Sequence, residues 1–303
     1  MLPIGVNLTI RYPFEDVLPI IAAAGFDGVD VSFSRFWTSK EIRTDIIPEA
    51  VESEEAFLSA VAPIGAEAKK NGLKVFQTHA PYPGWAKTDQ TDAHLREVFR
   101  WSIRATAELG AKYMIYHPVK SQPERAENWA RTMEVCESLI PAAKQYGVTI
   151  CLENLFGTRK AGDLTKLVAA TGADYETAAR KIDELNAHAG EELFGFCLDT
   201  GHSLLTGLDV KDMIVTMGSR LKALHIHDNN GMTDQHLMPY VGAVNWERFV
   251  DGLAQIDYRG VLSFETQDVW KIFDYELMPS VEKLIAETGR MFARRIEERK
   301  TSC

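Results

Sequence analysis

GVTICLENLFG, residues 147–157, places a run of β-forming residues directly behind a glycine and ends it on a glutamate. Val148, Thr149 and Ile150 are β-branched and suit a pleated, packed surface. Up to Glu153 the run shows no strict polar alternation, the pattern of a strand covered on both faces in a parallel sheet. The preceding stretch ERAENWARTMEVCESLIPAAKQY (124–146) is amphipathic, and Gly147 is the residue type that stops such a helix in a left-handed cap. Burying a carboxylate at a strand end is unfavourable unless it is paired, hydrogen-bonded or bound to a cation. The unit therefore reads as helix, glycine, strand, then a chemistry-bearing residue.

The unit recurs on both sides. Strands are expected at 4–9, 28–33, 73–79, 113–117, 148–153, 194–199, 221–227 and 260–265, with amphipathic stretches such as 89–110 between them. Glycines close several of those stretches, in AAAGFDGVD, KKNGLKV and ELGAKY. Strands alternating with helices predict βα units and a parallel sheet. Eight such units in 303 residues fit an α/β fold, a single (β/α)8 TIM barrel spanning 1–303, a fold of about 250 residues that tolerates insertions. The excess is expected as extended loops near 34–53 and 154–193, the second with a helical piece around DYETAARKIDELNAHAG. A doubly wound open sheet is the alternative, but it would spread the strand ends along an edge.

Those strand ends are unusually polar. KVFQTHAP ends in His79, YMIYHPV carries His117, and FGFCLDTGH carries Asp199 and His202. LKALHIHDNN carries His225 and His227, TDQH carries Asp234 and His236, and VLSFETQ ends in Glu265. Imidazole and carboxylate are natural ligands for a divalent metal, Zn or Mn first, with Mg or Co also admissible. Residues two apart share a strand face. The expected inward sets are Val75, Gln77, His79; Thr149, Cys151, Glu153; Ala223, His225, His227; and Val261, Ser263, Glu265. His94 and His188 fall in helical stretches and are expected to face solvent. Trp37, Trp85 and Trp270 follow strands and are candidates to wall a pocket at the strand ends, with loop packing as the plain alternative.

The formal net charge of -10 argues against nucleic acid, whose binding leaves a basic footprint. Cys136, Cys151, Cys197 and Cys303 show no short pairing pattern and are read as reduced, Cys303 without evident use. The start, MLPIGVNLTIRYPF, lacks a basic n-region, and no run approaches the roughly 18 apolar residues of a membrane helix. The expected setting is the cytoplasm, with no membrane partner. Exposed barrel helices such as 275–298 are the expected surface for a homo-oligomer.

CLENLFG, CLDTGHSLLTG, LHIHDNN with DQHLMPYVGAVNW, and FET together resemble the sugar phosphate isomerase/epimerase and endonuclease IV superfamily of xylose isomerase-like TIM barrels. The resemblance runs from the first strand to the last. It implies a core metal held by Glu153, Asp199, His225 and Glu265. It further implies that His79, His117, His202, Asp234 and His236 match the additional positions of endonuclease IV, as ligands of further metals or as substrate-binding groups. His227 shares a face with His225 and is read as supporting the ligands. The activity implied is a metal-dependent isomerase or epimerase of a small sugar, sugar phosphate or keto-polyol through an enediolate, with Glu153 and Glu265 as acid/base pair. The alternatives are a zinc phosphodiesterase or abasic-site endonuclease, and a keto-polyol dehydratase. One departure is noted: the G-x-G turn common ahead of the tryptophan reads Gly242-Ala243-Val244.

Overall fold

The computed structural model describes residues 1–121, 124–161 and 164–301; Cys303 lies outside them. Eight strands form one parallel sheet: β1 (Ile4–Asn7), β2 (Gly28–Ser32), β3 (Lys74–His79), β4 (Tyr113–Tyr116), β5 (Thr149–Glu153), β8 (Phe194–Asp199), β9 (Leu221–His225) and β10 (Leu262–Phe264). They neighbour one another in the order β10-β1-β2-β3-β4-β5-β8-β9. A parallel bridge between Ile226 and Phe264 joins the two ends of that order. Its hydrogen bonds run from the Ile226 N–H to the Ser263 carbonyl (2.8 Å) and from the Glu265 N–H to the Ile226 carbonyl (3.0 Å). The sheet is thereby closed, and the (β/α)8 barrel expected from the alternation is present.

Helices cover the outside: α1 (Phe14–Ala24), α2 (Ser39–Arg43), α3 (Glu54–Lys70), α4 (Asp89–Glu108), α5 (Arg125–Tyr146) and α6 (Tyr175–Ala189). They continue with α7 (Thr200–Leu205), α8 (Val210–Met217), α9 (Trp246–Gln255), α10 (Val269–Ile272) and α11 (Met278–Lys300). Gly25, Gly147 and Gly190 close α1, α5 and α6 in the left-handed conformation, which a side chain would strain. None of the described helices is long and apolar enough to cross a membrane.

Both expected loops contain more order than foreseen. Residues 34–53 hold α2, fixed by a Thr38–Glu41 capping box. Residues 154–193 hold α6 and an antiparallel hairpin of β6 (Phe156–Ala161) and β7 (Leu164–Ala169). That hairpin lacks the apolar-polar alternation that marks a half-buried strand, so its composition read as loop.

Inside the barrel, Ile115, Cys151, Cys197 and Ala223 form a small apolar layer against Tyr113. Truncating Ile115 to alanine there should cost about 2–5 kcal/mol. The expected two-residue alternation breaks in β3. The register shifts so that Val29 pairs with Val75 but Asp30 pairs with Gln77. Val75 joins the outer core, while the Phe76 ring takes the space over Gly5 and Gly28. Away from the strand ends one buried acid stands apart: Glu282 of α11 is fully buried and accepts a hydrogen bond from Trp270 Nε1 at 2.7 Å. Burial pushes its carboxyl up to about 7.

Candidate active site

The C-terminal ends of the strands open into a pocket of about 280 Å³ lined by His79, His117, Glu153, His202, Asp234, His236 and Glu265. Asp199, His225 and His227 lie beneath it, each at most 1% exposed. All ten residues singled out in the sequence are therefore gathered in one place.

Each side chain is aimed by its own piece of backbone. Asp199 ends β8 and caps α7, its Oδ1 accepting from the His202 N–H at 2.7 Å, as N-cap aspartates do. The Asn154 amide latches β8 to β5, donating to the Asp199 carbonyl (2.9 Å) and accepting from its N–H (2.7 Å). The loop after β9 is held by Asp228, whose carboxylate accepts from the N–H groups of Asn229, Tyr240 and Val244 and from Trp246 Nε1. An antiparallel bridge from Asp228 to Leu237 then sets Asp234 and His236 over the mouth.

The histidines share one design. His79 Nδ1–H donates to the Ala80 carbonyl (2.8 Å), His202 Nδ1–H to the Asn154 carbonyl (2.8 Å) and His236 Nδ1–H to the Glu265 carbonyl (3.1 Å). A carbonyl only accepts, so the proton sits on Nδ1 and Nε2 is left for the pocket. His225 is reversed: Nε2–H donates to Asp30 Oδ2 at 3.1 Å. Its Nδ1 faces Glu153 Oε2 (3.1 Å) and Glu265 Oε2 (3.4 Å). His227 Nε2 lies 2.9 Å from Asp199 Oδ1, with its ring stacked 4.1 Å from that of His236.

Among the described residues, donor atoms within 4.8 Å of one another define four overlapping groups. They are His79, Glu153, His225; Asp199, His225, Glu265; Asp199, His202, His227; and His227, His236, Glu265. Buried His225 Nδ1, His227 Nδ1 and Asp234 Oδ1 have no hydrogen-bond partner. Such atoms are unfavourable to bury unsatisfied, and lone pairs oriented by outer hydrogen bonds are what a divalent cation requires. The donor set fits one.

Charge is distributed unevenly across the floor. Burial works to lift Glu153, but His117 and His225 hold it well below the usual carboxylate range. Burial raises Glu265, with His225 and His236 offsetting only part of it. Burial pushes the His117 imidazole down to about 4. His236 is carried the other way, to about 9, because Glu265 and Asp234 outweigh its desolvation.

Several expectations are corrected. His94 does not face solvent: it is half-buried, bonds the Val51 carbonyl at 2.6 Å and packs on Trp37 and Trp101. His188 is exposed beside Glu137, as expected. Trp37 and Trp270 are buried in the outer core, and the aromatic pocket walls are instead Tyr82 and Phe156. Asp30 was missed, although GVDVSF carries a signal, a charge inside an apolar strand on the face of Gly28 and Ser32. Gln77 donates to Asp30 Oδ2 at 2.8 Å and completes its support.

The xylose isomerase-like TIM barrel model matches residues 18–294. Among curated relatives, a probable endonuclease 4 of Thermoplasma acidophilum is 24% identical over 205 residues, 64% of each chain. The chain spans 30% and 57% of the length of two further curated relatives. Among solved structures, a D-tagatose 3-epimerase-like protein superposes with a TM-score of 0.72 at 18% identity, covering 98% of this chain and 99% of that one. A D-psicose 3-epimerase gives 0.67 at 19%, covering 96% and 99%. At these identities the structural likeness speaks to fold.

Proposed function

The chain belongs to the xylose isomerase-like TIM barrel family, and within it we propose a divalent-metal-dependent isomerase or epimerase acting on a small keto sugar, sugar phosphate or keto-polyol. The observation that carries this reading is His225, whose Nε2–H is given to Asp30 while Nδ1 faces both Glu153 and Glu265. That is the carboxylate–histidine arrangement that orients a metal ligand and strengthens its basicity. The cation would be held by Glu153, Asp199, His225 and Glu265, with Zn or Mn favoured by the mixed nitrogen and oxygen donors. When bound, it supplies Lewis acidity toward a carbonyl oxygen and the adjacent hydroxyl.

The chain's own groups do the proton work. Glu153 and Glu265 flank His225 and form the acid/base pair. One removes the proton from the carbon beside the carbonyl; the other returns a proton to the enediolate. Return to the opposite face of the same carbon gives an epimer, and return to the neighbouring carbon gives aldose–ketose isomerisation. His79, His117, His202, Asp234 and His236 ring the space above and hold substrate hydroxyls. His227 supports Asp199 through its hydrogen bond. We place the enzyme in the cytoplasm, with the exposed face of α11 as the surface for a homo-oligomer.

The test is hydrogen exchange in deuterated water with a panel of small ketoses. Wild type should incorporate deuterium at a carbon-bound position, whereas Glu153→Gln and Glu265→Gln should each lose it by at least about a thousandfold. No exchange with any ketose would overturn the reading. A second reading, phosphodiester hydrolysis, is favoured by the five outer groups in the same pocket and the endonuclease 4 likeness. Three bound ions per chain with cleavage of abasic DNA would establish it in place of the first. Release of water from a keto-polyol would mark a dehydratase.

A further inference from the structure

We propose that the substrate carries an anionic group, a phosphate or a carboxylate, at the end remote from its reacting carbons, and that Lys120 and Arg43 hold that group at the pocket mouth. This rests on the isomerase/epimerase reading of the same site and narrows its substrate.

Lys120 lies three residues beyond His117 and lines the pocket. Its Nζ donates to the Phe156 carbonyl at 2.8 Å and sits 5.1 Å from the Phe156 ring centroid. That ring in turn packs on His202, so the ammonium is fixed relative to the floor. An ammonium has three donors, and the carbonyl takes one. Among the described residues no carboxylate lies within ion-pair distance of it. Burial, and then the nearby Arg43 charge, depress the ammonium.

Arg43, the last residue of α2, approaches from the loop after β2. Its Nη2 is 3.4 Å from the Tyr82 hydroxyl and its guanidinium stands 5.6 Å over the Tyr82 ring; Tyr82 also lines the pocket. Among the described side chains, twelve arginines have a carboxylate within 4.0 Å. Among the described side chains Arg11, Arg35, Arg43 and Arg180 do not, and the first three follow β1 and β2 at the mouth. Two like charges left unpaired beside one cavity, in a chain of net charge -10, are stabilised by an anion placed between them.

The floor fixes the orientation. Glu153, Asp199, Asp234 and Glu265 repel an anion, so the charged end points outward and the carbonyl end inward. The turn at Gly242 offers no rival site, because its neighbouring N–H groups at Tyr240 and Val244 are already given to Asp228. A Cβ at Gly242 would meet Asp228 Oδ1 and the Asn229 carbonyl at 2.3 Å.

The experiment measures equilibrium binding to the metal-loaded protein of three probes sharing a carbon skeleton: a ketohexose, its 6-phosphate, and the matching keto-aldonate. At least one anionic probe should bind about tenfold or more tightly than the neutral ketose, and the stronger of the two identifies phosphate or carboxylate. In Lys120→Met the anionic-to-neutral ratio should fall to near one. Lys120→Arg should keep most of it, and Arg43→Ala should reduce it by about threefold. Equal affinity for all three probes, or a ratio unchanged in Lys120→Met with normal metal content and melting temperature, would overturn the inference and leave the isomerase reading standing. Absence of deuterium exchange from all three would instead sink the isomerase reading, and the binding ratios would still decide the anion site.

Discussion

The two ends of the barrel make an instructive pair. At the N-terminal end lies a cavity of about 670 Å³ lined by residues such as Leu58, Val61, Leu73, Phe76, Tyr113 and Val261, with Lys69, Lys74 and Lys112 around it. At the C-terminal end the pocket is less than half that size, about 280 Å³, yet it gathers the histidines and carboxylates. Volume therefore does not locate the chemistry. Oriented donors do: buried His225 Nδ1 lies beside Glu153 and Glu265, and it and Asp234 Oδ1 lack hydrogen-bond partners, whereas the larger cavity is walled mostly by apolar side chains with lysines around it. The thin layer of Ile115, Cys151, Cys197 and Ala223 separates the two. One end is packed and the other gathers polar donors, the division expected of this architecture.

The contrast is most severely tested by removing the cation. Exhaustive chelation should abolish turnover and lower the melting temperature, and both should return on adding Zn or Mn; turnover that survives metal analysis at background would break the comparison. Next come two glycines, one at each end. A Cβ at Gly201 would meet the His227 ring at 2.0 Å, so Gly201→Ala should weaken metal affinity about 10- to 100-fold, read by competition with a chelating dye. A Cβ at Gly28 would meet the Lys74 carbonyl at 2.3 Å and the Phe76 ring at 2.7 Å. Gly28→Ala should therefore cost about 1–3 kcal/mol in urea unfolding while the metal affinity of the folded protein stays at the wild-type value.

The smallest effect concerns Glu282, a buried acid outside the site. Glu153 is held ionised by imidazoles, but among the described residues Glu282 has only Trp270 for a hydrogen-bond partner, and burial lifts it to about 7. Its folded pKa lies above its unfolded one, so between about pH 4.5 and 7 the folded state keeps a proton that the unfolded chain has released. Stability attributable to Glu282 is thus full below pH 4.5, falls as pH rises to about 7, and then levels. Glu282→Gln should flatten that slope and stabilise the protein at pH 8 by about 1 kcal/mol, less than the pKa displacement alone implies, because the amide brings an orphan group of its own. A melting-temperature profile over pH 5–8 reads both changes.

Much of this was legible from local pattern. Glu153 follows a run whose β-branched residues and preceding glycine fix its limits within a residue or two, and Asp199 ends the apolar, phenylalanine-rich run FGFCLD. Local pattern also placed Cys151 and Ala223 inside the barrel, where they lie. It failed where long-range geometry decides. Asp30 meets His225 across 195 residues, and only barrel closure puts them together. The register shift at Val29/Asp30 overrides the simple alternation that pointed Val75 inward. Lys120 and Arg43 carried no signal in sequence, because which cations lack a carboxylate and also stand beside the pocket is decided only by the fold.

Ile226 stands between His225 and His227, and its N–H and carbonyl both cross to the last strand, one to Ser263 and one to Glu265. The seam that shuts the cylinder is stitched through the ligand cluster itself, so the two cannot come apart independently. In the language of amide exchange, the hydrogens of Ile226 and Glu265 belong to the same opening event as the site, and a bound cation should slow their exchange more than that of the amides of β4 on the far side.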